Sequence, residues 1–460
     1  MIKKLVNSFI SLIFVLYANN ISSEDLIPAE FFACYSNSNS MEMSPDGKYI
    51  AIVSQPRAPK CDIEPDLQKY VEDDSRGGRL TLYNTSNGQA TTLTSGKGNS
   101  SVSGVSWVSN DRIIFNTSPT NSSAKSIDAY ALWGMNIDGS KKKKLFTLKQ
   151  VQGTFASPRL TSLLPDEPNY VMVAINDRRG SVEDYYRLNI FTGAKRRVAM
   201  GPDIDNEEAL FDVVEKNDGT PLAAIGNLGD EWRIWRYYDS EDTWDVHFTS
   251  KCQTPTFFPL SGYEDKWLVS GQDITKSKTF NKDNDKSKLF LYDPDDRSFE
   301  LLYEDDTYDV GGPTGGCRTA IGGASIDEKT NELIYVAYYG EKPVRIFFDE
   351  DVQATNDMLE GAFPDQIVRP ITWNKDRSKV VVSVSSSNNP GEYYYFDKEN
   401  MILTFLWDRS PWLDRSKLSK MTAIKYTARD GLEIHGYLTT PVNSDGKNMP
   451  MIVHPHGGPN

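Results

Sequence analysis

Histidine and cysteine are scarce in this chain, at four residues each among 460. No Cys-x-x-Cys pair occurs, so a structural zinc site is not expected, and no metal or cofactor is called for. Cations are outnumbered, with 50 Lys and Arg against 64 Asp and Glu, for a net charge of -14. Such a balance argues against nucleic acid and against anionic membranes as partners. Long apolar runs are missing beyond the first residues, so no integral membrane span is expected once a leader is removed. A strand-to-helix nucleophile elbow, written G-x-S-x-G, is absent throughout. Sustained helical periodicity longer than two turns is not evident between residues 40 and 407.

The one apolar run lies at the start. Lys3 and Lys4 precede a stretch from Leu5 to Ala18, and small polar residues follow to Ser23. This reads as a secretory signal peptide over residues 1–23, placing the protein in the periplasm or outside the cell. Export permits disulfides, and four cysteines admit two bridges in three connectivities. Cys252 and Cys317 precede the first hairpin of consecutive repeat units by similar distances. Equivalent positions in adjacent blades can come within disulfide reach, so a Cys252–Cys317 bridge is expected, and Cys34 would then pair with Cys61.

Aromatic residues make up 11% of the chain, mostly Tyr and Phe, which suits strands. Short runs of Tyr, Val, Ile, Phe and Trp alternate with Asp, Asn and Gly turns. Two kinds of hairpin recur. One is marked by Asp46-Gly47, Asn110-Asp111, Pro165-Asp166, Asp218-Gly219, Glu264-Asp265, Glu328-Lys329 and Lys375-Asp376. The other is marked by Asn87-Gly88, Asp138-Gly139, Thr192-Gly193, Ser240-Glu241, Pro294-Asp295, Glu350-Asp351 and Lys398-Glu399. Seven of each gives seven four-stranded units about fifty residues long, the pattern of a β-propeller. The expected layout is an N-terminal segment over 24–42, a mainly β, seven-bladed propeller over 43–407, a linker over 408–420 and a further unit over 421–460. A Pro- and acid-rich insertion, residues 55–78, separates two strands of the first blade.

The last unit carries chemistry. Arg429-Asp430-Gly431 divides two strand-like runs, and Met449 to Val453 reads as a third strand feeding His456-Gly457-Gly458. A strand followed by His-Gly-Gly is how an α/β-hydrolase supplies part of its oxyanion hole, with nucleophile, acid and base later in the chain. Ser444, Asp430 and His435 stand on early hairpins and are not assigned to those roles.

Four stretches together resemble exported bacterial serine peptidases of the prolyl oligopeptidase family. They are Phe31-Phe32 ahead of Met43-Ser44-Pro45-Asp46-Gly47-Lys48-Tyr49-Ile50-Ala51, the sevenfold repeat, Tyr426 to Gly431 with Gly436-Tyr437-Leu438, and Pro455-His456-Gly457-Gly458-Pro459. The resemblance implies hydrolysis of oligopeptides by acyl transfer, with the propeller gating access. It assigns Gly457 and Gly458 to the oxyanion loop and His456 to anchoring it. No catalytic residue of a triad falls within residues 1–460, so this chain alone is expected to be inactive. The alternative is a non-catalytic propeller that binds an envelope ligand. Glu207-Glu208, a pair of carboxylates able to clamp an amine, and Lys141 to Lys144 are read as acidic surface and as a solvated strand end.

Overall fold

The computed structural model describes residues 27–455 apart from 33–37, 55–77, 97–99, 120–130, 148, 152–153, 157, 180–181, 204–207, 252–253, 255, 264, 278, 280–284, 312–322, 328–329 and 331. Residues 1–23, read above as a signal peptide, all four cysteines and most of the first-blade insertion lie outside the described residues, as do Glu207, His456, Gly457 and Gly458.

A short helix, α1 (Ala29–Phe32), precedes the first blade, which is β1 (Ser38–Met43), β2 (Tyr49–Ser54), β3 (Arg79–Asn84) and β4 (Ala90–Ser95). Blade two is β5 (Ser100–Ser109), β6 (Arg112–Pro119), β7 (Ala131–Asn136) and β8 (Lys143–Thr147). A small hairpin, β9 (Lys149–Val151) and β10 (Thr154–Ala156), leads to blade three: β11 (Pro158–Ser162), β12 (Tyr170–Arg179), β13 (Val182–Asn189) and β14 (Lys195–Ala199). Blade four is β15 (Glu208–Glu215), β16 (Pro221–Leu228), β17 (Glu231–Tyr238) and β18 (Thr243–Lys251). Blade five is β19 (Phe257–Tyr263), β20 (Lys266–Gly271), β21 (Lys288–Asp293) and β22 (Ser298–Tyr303). Blade six is β23 (Gly323–Ile326), β24 (Leu333–Tyr339) and β25 (Pro343–Phe347), followed by helix α2 (Glu350–Ala362). Blade seven is β26 (Ile367–Trp373), β27 (Lys379–Ser386), β28 (Asn389–Asp397) and β29 (Ile402–Asp408). Every pairing is antiparallel between sequence neighbours, so each sheet is a meander. The first strand starts at Ser38 and the last ends at Asp408, against expected limits of 43 and 407.

The turns follow from local chemistry. In the first, Asp46 Oδ1 accepts from the Ser44 hydroxyl at 2.8 Å and from Lys48 N at 3.1 Å, while Gly47 adopts φ 69°. That left-handed conformation is nearly free for glycine and strained for other residues.

Apolar packing closes the ring. Strand β27 buries Val380, Val381, Val382 and Val384, because both faces of a blade are covered by its neighbours. Seven apolar clusters mark the interfaces. One joins blades one and two through Val53, Leu80, Trp107 and Phe115. Others join blades two and three, three and four, four and five, and five and six. The sixth packs Leu359 and Phe363, at the end of α2, on Val368, Val380 and Phe396 of blade seven. The seventh packs Met41, Met43 and Ile50 of blade one on Val381, Tyr393 and Tyr395 of blade seven. Here no strand is shared, since β1 pairs with β2 and β26 with β27. The seam is reinforced by Met43 N donating to Thr372 Oγ1 at 3.0 Å and Lys375 N donating to Pro45 O at 2.9 Å.

Blade six corrects the sequence reading. The hairpin expected at Glu350-Asp351 is the first turn of α2. Asp349 caps it, accepting from the Asp351 and Val352 amides at 3.0 Å each. Glu350 and Asp351 favour the positive end of the helix dipole. Val352, Thr355, Asn356 and Leu359 form the buried stripe, and two of the four are polar, which hides the helical period in the sequence. The helix also solves a parity problem. Three strands leave the chain on the opposite side of the ring from where it entered. Thirteen helical residues rise about 20 Å, the height of a six-residue strand, and return it before β26. Arg377 pairs with Asp327 and Asp349, and Lys398 with Asp351, fixing the helix start to blade seven.

Two predictions follow from this packing. Thr372→Val leaves the buried Met43 amide without its acceptor and should cost about 1–3 kcal/mol in chemical unfolding. Thr372→Ser should restore most of it; equal stability of all three proteins would show that the seam does not depend on this bond. The second concerns His247, buried against Trp267 and 2.7 Å from the Tyr292 hydroxyl through Nε2. Burial, reinforced by Arg297 and Arg236, lowers its pKa to about 4. The unfolded chain binds the proton first, so this contribution is complete above pH 6.5 and is lost as pH falls toward 4. His247→Phe should flatten the stability profile in that window, read by thermal melts; an unchanged slope would contradict it.

Candidate functional site

Strand order assigns the two faces of the ring. The chain enters at the N-terminal end of β1 and leaves at the C-terminal end of β29, and a four-stranded meander returns it to the side from which it came. Both ends of the propeller therefore emerge on one face. The second-to-third-strand loops and the connections between blades share it. The Asp-Gly and Asn-Gly turns occupy the opposite face.

The exit segment is anchored to this entry face. The Trp412 indole donates to Phe31 O at 2.9 Å, tying the chain leaving the ring to the helix ahead of it. Arg415 donates to Glu392 Oε1 and Asp408 Oδ2, each at 2.6 Å. Burial disfavours its charge, but the two carboxylates more than offset this and hold its pKa above the ordinary value. Asp414 caps the short 3-10 turn Arg415–Lys417 through Ser416 N at 3.0 Å.

From this anchor rises a two-stranded hairpin, β30 (Met421–Thr427) and β31 (Glu433–Thr439). Its turn closes with Ala428 N donating to Leu432 O at 2.8 Å, and Gly431 sits at φ 89°. Lys425 and Glu433 pair across it at 3.2 Å, and His435 lies 3.3 Å from the same carboxylate. Three contacts set it on the entry face. Met421 N donates to Ser387 Oγ at 2.9 Å, the Tyr437 hydroxyl donates to Glu341 O at 2.7 Å, and the Tyr308 and His435 rings meet edge to face at 6.3 Å. Ser387 and Glu341 are on second-to-third-strand loops and Tyr308 is on a connection between blades, as the topology requires.

The third strand expected at Met449 to Val453 does not form. Nothing pairs with this run among the described residues, and Met451, Ile452 and Val453 are 75%, 94% and 74% exposed. His454 is exposed near the end of the described chain, two residues before His456 of the oxyanion loop assigned from the resemblance. Ser444 caps its own turn through Gly446 N at 3.0 Å, and Asp430 accepts from Leu432 N at 3.2 Å, both local roles. No group of three or more metal-binding side chains clusters among the described residues.

One polar cluster escaped the sequence analysis. Between blades three and four, Arg159 Nη2 lies 2.7 Å from Glu183 Oε2 and 2.5 Å from Glu215 Oε1, and the Tyr185 hydroxyl donates to Glu215 Oε1 at 3.2 Å. Burial raises the pKa of Glu215, and the Asp212 carboxylate adds to the shift against the opposing pull of Arg159. These residues are scattered over three strands, and no spacing in the sequence joins them.

No protein-family model and no curated protein matches the chain. Solved structures do. A prolyl endopeptidase is similar at TM-score 0.49 and 13% identity, over 89% of this chain and 55% of that one. Prolyl oligopeptidase B from Galerina marginata gives 0.48 and 10%, over 91% and 57%. A puromycin-hydrolyzing peptidase from Mycobacterium tuberculosis gives 0.48 and 12%, over 89% and 59%. The chain thus spans 55–59% of the length of these structures.

Arg415→Met should release the exit segment. Subtilisin should then cut between residues 415 and 426 roughly tenfold faster, as local opening becomes easier, while the blades stay intact. Cutting at the same rate, or first within a blade, would show that the clamp does not hold this segment.

Proposed function

We propose that this chain is the propeller-bearing part of an exported serine peptidase of prolyl oligopeptidase type, which hydrolyses short peptides by acyl transfer. The observation that carries this reading is the convergence of both propeller ends and the β30–β31 hairpin on one face of a seven-bladed ring. The hairpin sequence Tyr426 to Gly431, followed by His456-Gly457-Gly458, supports it.

In this reading the Gly457 and Gly458 loop helps form the oxyanion site, where the absence of side chains lets the substrate carbonyl approach backbone amides. His456 anchors that loop. The nucleophile, acid and general base lie outside residues 1–460, and an acyl-enzyme forms on a serine of a G-x-S-x-G elbow. A serine hydroxyl attacks the peptide carbonyl, the base carries its proton to the leaving amine, and water then releases the acyl group. The ring covers this centre from the entry face. Oligopeptides are admitted and folded proteins are excluded by size.

The DNA past codon 460 should hold an open frame that encodes a G-x-S-x-G elbow within about a hundred and fifty codons, and an immediate stop codon there would overturn the proposal. The product of that frame should react with a fluorophosphonate probe and cleave peptides while sparing folded proteins. The 460-residue chain should remain unlabelled. Stoichiometric labelling of a serine in this chain, or a continuing frame without an elbow, would overturn the proposal.

A further inference from the structure

The chain's acidity is unevenly spread. No Asp or Glu occurs from Gly139 to Pro165, and Lys141, Lys142, Lys143 and Lys144 lie near the start of that run. Lys195, Arg196 and Arg197 stand at the equivalent place one blade on. Both groups follow the third turn of a meander, entering the outermost strands β8 and β14.

The fold makes these groups one surface. The blade-three turn presses on β8 so closely that a Cβ on Gly193 would stand 2.9 Å from Leu145 O. Lys141 Nζ lies 5.7 Å over the Phe191 ring of blade three. Lys142 and Lys144 run along Trp133, with Nζ 5.3 Å and 5.2 Å from the ring centre. The ammonium groups themselves thus lie over aromatic faces, and Lys142 Nζ also donates to Thr94 Oγ1 at 3.1 Å. Lys141, Lys142, Lys143, Arg196 and Arg197 are exposed. Among the described residues, few carboxylates reach the patch. Asp177 takes Lys195 at 2.5 Å, and Asp184, already gripped by Arg178, lies 3.9 Å from Arg197. Asp138 is engaged in its own turn with Ser140 N at 2.8 Å.

Charged residues on outer strands also discourage edge-to-edge pairing. That function does not account for the distribution here, because β4, β22 and β29 carry no Lys or Arg at all. Fourth strands form the outer circumference of the ring, so the patch is convex. Flexible ammonium groups spread over a convex rim suit phosphates dispersed in a plane better than a single strand of polyanion, which gains most from a groove that tracks its backbone.

We propose that the outer edges of blades two and three form a docking surface for an anionic phospholipid bilayer. Attachment is electrostatic and peripheral, since Val198 is the one large apolar side chain exposed in β8 and β14. The patch lies toward the turn face, so a docked molecule keeps its entry face and the β30–β31 hairpin away from the lipid.

The test is cosedimentation of the full chain with vesicles of equal parts phosphatidylglycerol and phosphatidylcholine, beside vesicles of phosphatidylcholine alone. The neutral vesicles, and the N-terminus common to all variants, account for binding by the apolar leader. The wild type should bind anionic vesicles at least about tenfold more tightly, and about 0.5 M salt should abolish the difference. Lys141→Glu, Lys143→Glu and Arg196→Glu together should remove it. Lys251→Glu with Lys447→Glu, away from the patch, should not. Should the triple variant melt early, Lys141→Gln with Arg196→Gln supplies the same reading at smaller amplitude. Equal binding to both vesicles, equal binding by wild type and folded patch variants, or a preference for a soluble acidic polymer over anionic vesicles would each overturn the proposal.

Discussion

Everything in this molecule depends on burying both faces of each blade. A single four-stranded meander has two apolar faces and covers neither, so each blade is stable only between two others. Around the ring this requirement is met at seven interfaces, each with its own apolar cluster. Five of them join blades that are consecutive in the chain, and a sixth packs α2, which follows blade six, on blade seven. The seventh has no covalent continuity and no shared strand. It rests on Met41, Met43 and Ile50 against Val381, Tyr393 and Tyr395, with Thr372 and Pro45 as polar contacts. The integrity of the ring is therefore decided by side-chain packing at one seam.

Strand parity ties this packing to the placement of both propeller ends. An even number of strands returns the chain to its starting face after each blade, so both propeller ends emerge together. Among the described residues blade six breaks the count with three strands, and α2 restores it. Because of that helix, β26 starts on the correct side, β29 ends beside the entry, and Trp412 reaches Phe31. The Arg415 clamp and the three contacts of the β30–β31 hairpin extend the same face. The exposed Met451, Ile452 and Val453 lie beyond them.

Much of this was legible in the sequence, because turn chemistry is local. Asp46-Gly47, Asn87-Gly88 and Asp218-Gly219 each need a left-handed backbone, and each marks a hairpin that forms. Glu350-Asp351 looks like the same signal. It became a helix start because Asp349 caps it and a half-polar stripe packs on blade seven, which is a tertiary fact. Met449 to Val453 has the composition of a strand, yet a strand needs a neighbour, and pairing cannot be read from composition. The Arg159, Glu183 and Glu215 cluster and the joining of Lys141–Lys144 to Lys195–Arg197 across a blade boundary are products of ring closure. Net charge, which pointed away from anionic surfaces, averages over the polarity that closure creates.

The central claim is that the face bearing both propeller ends is the face over which catalysis takes place. A crystal or cryo-electron microscopy structure of the polypeptide encoded through the end of the reading frame tests it most directly. The account predicts a hydrolase domain seated on the entry face, continuing the β30–β31 sheet, with Gly457 and Gly458 beside a serine elbow above the ring. A domain docked on the turn face, or a continuation that packs away from the ring and leaves the entry face bare, would contradict it.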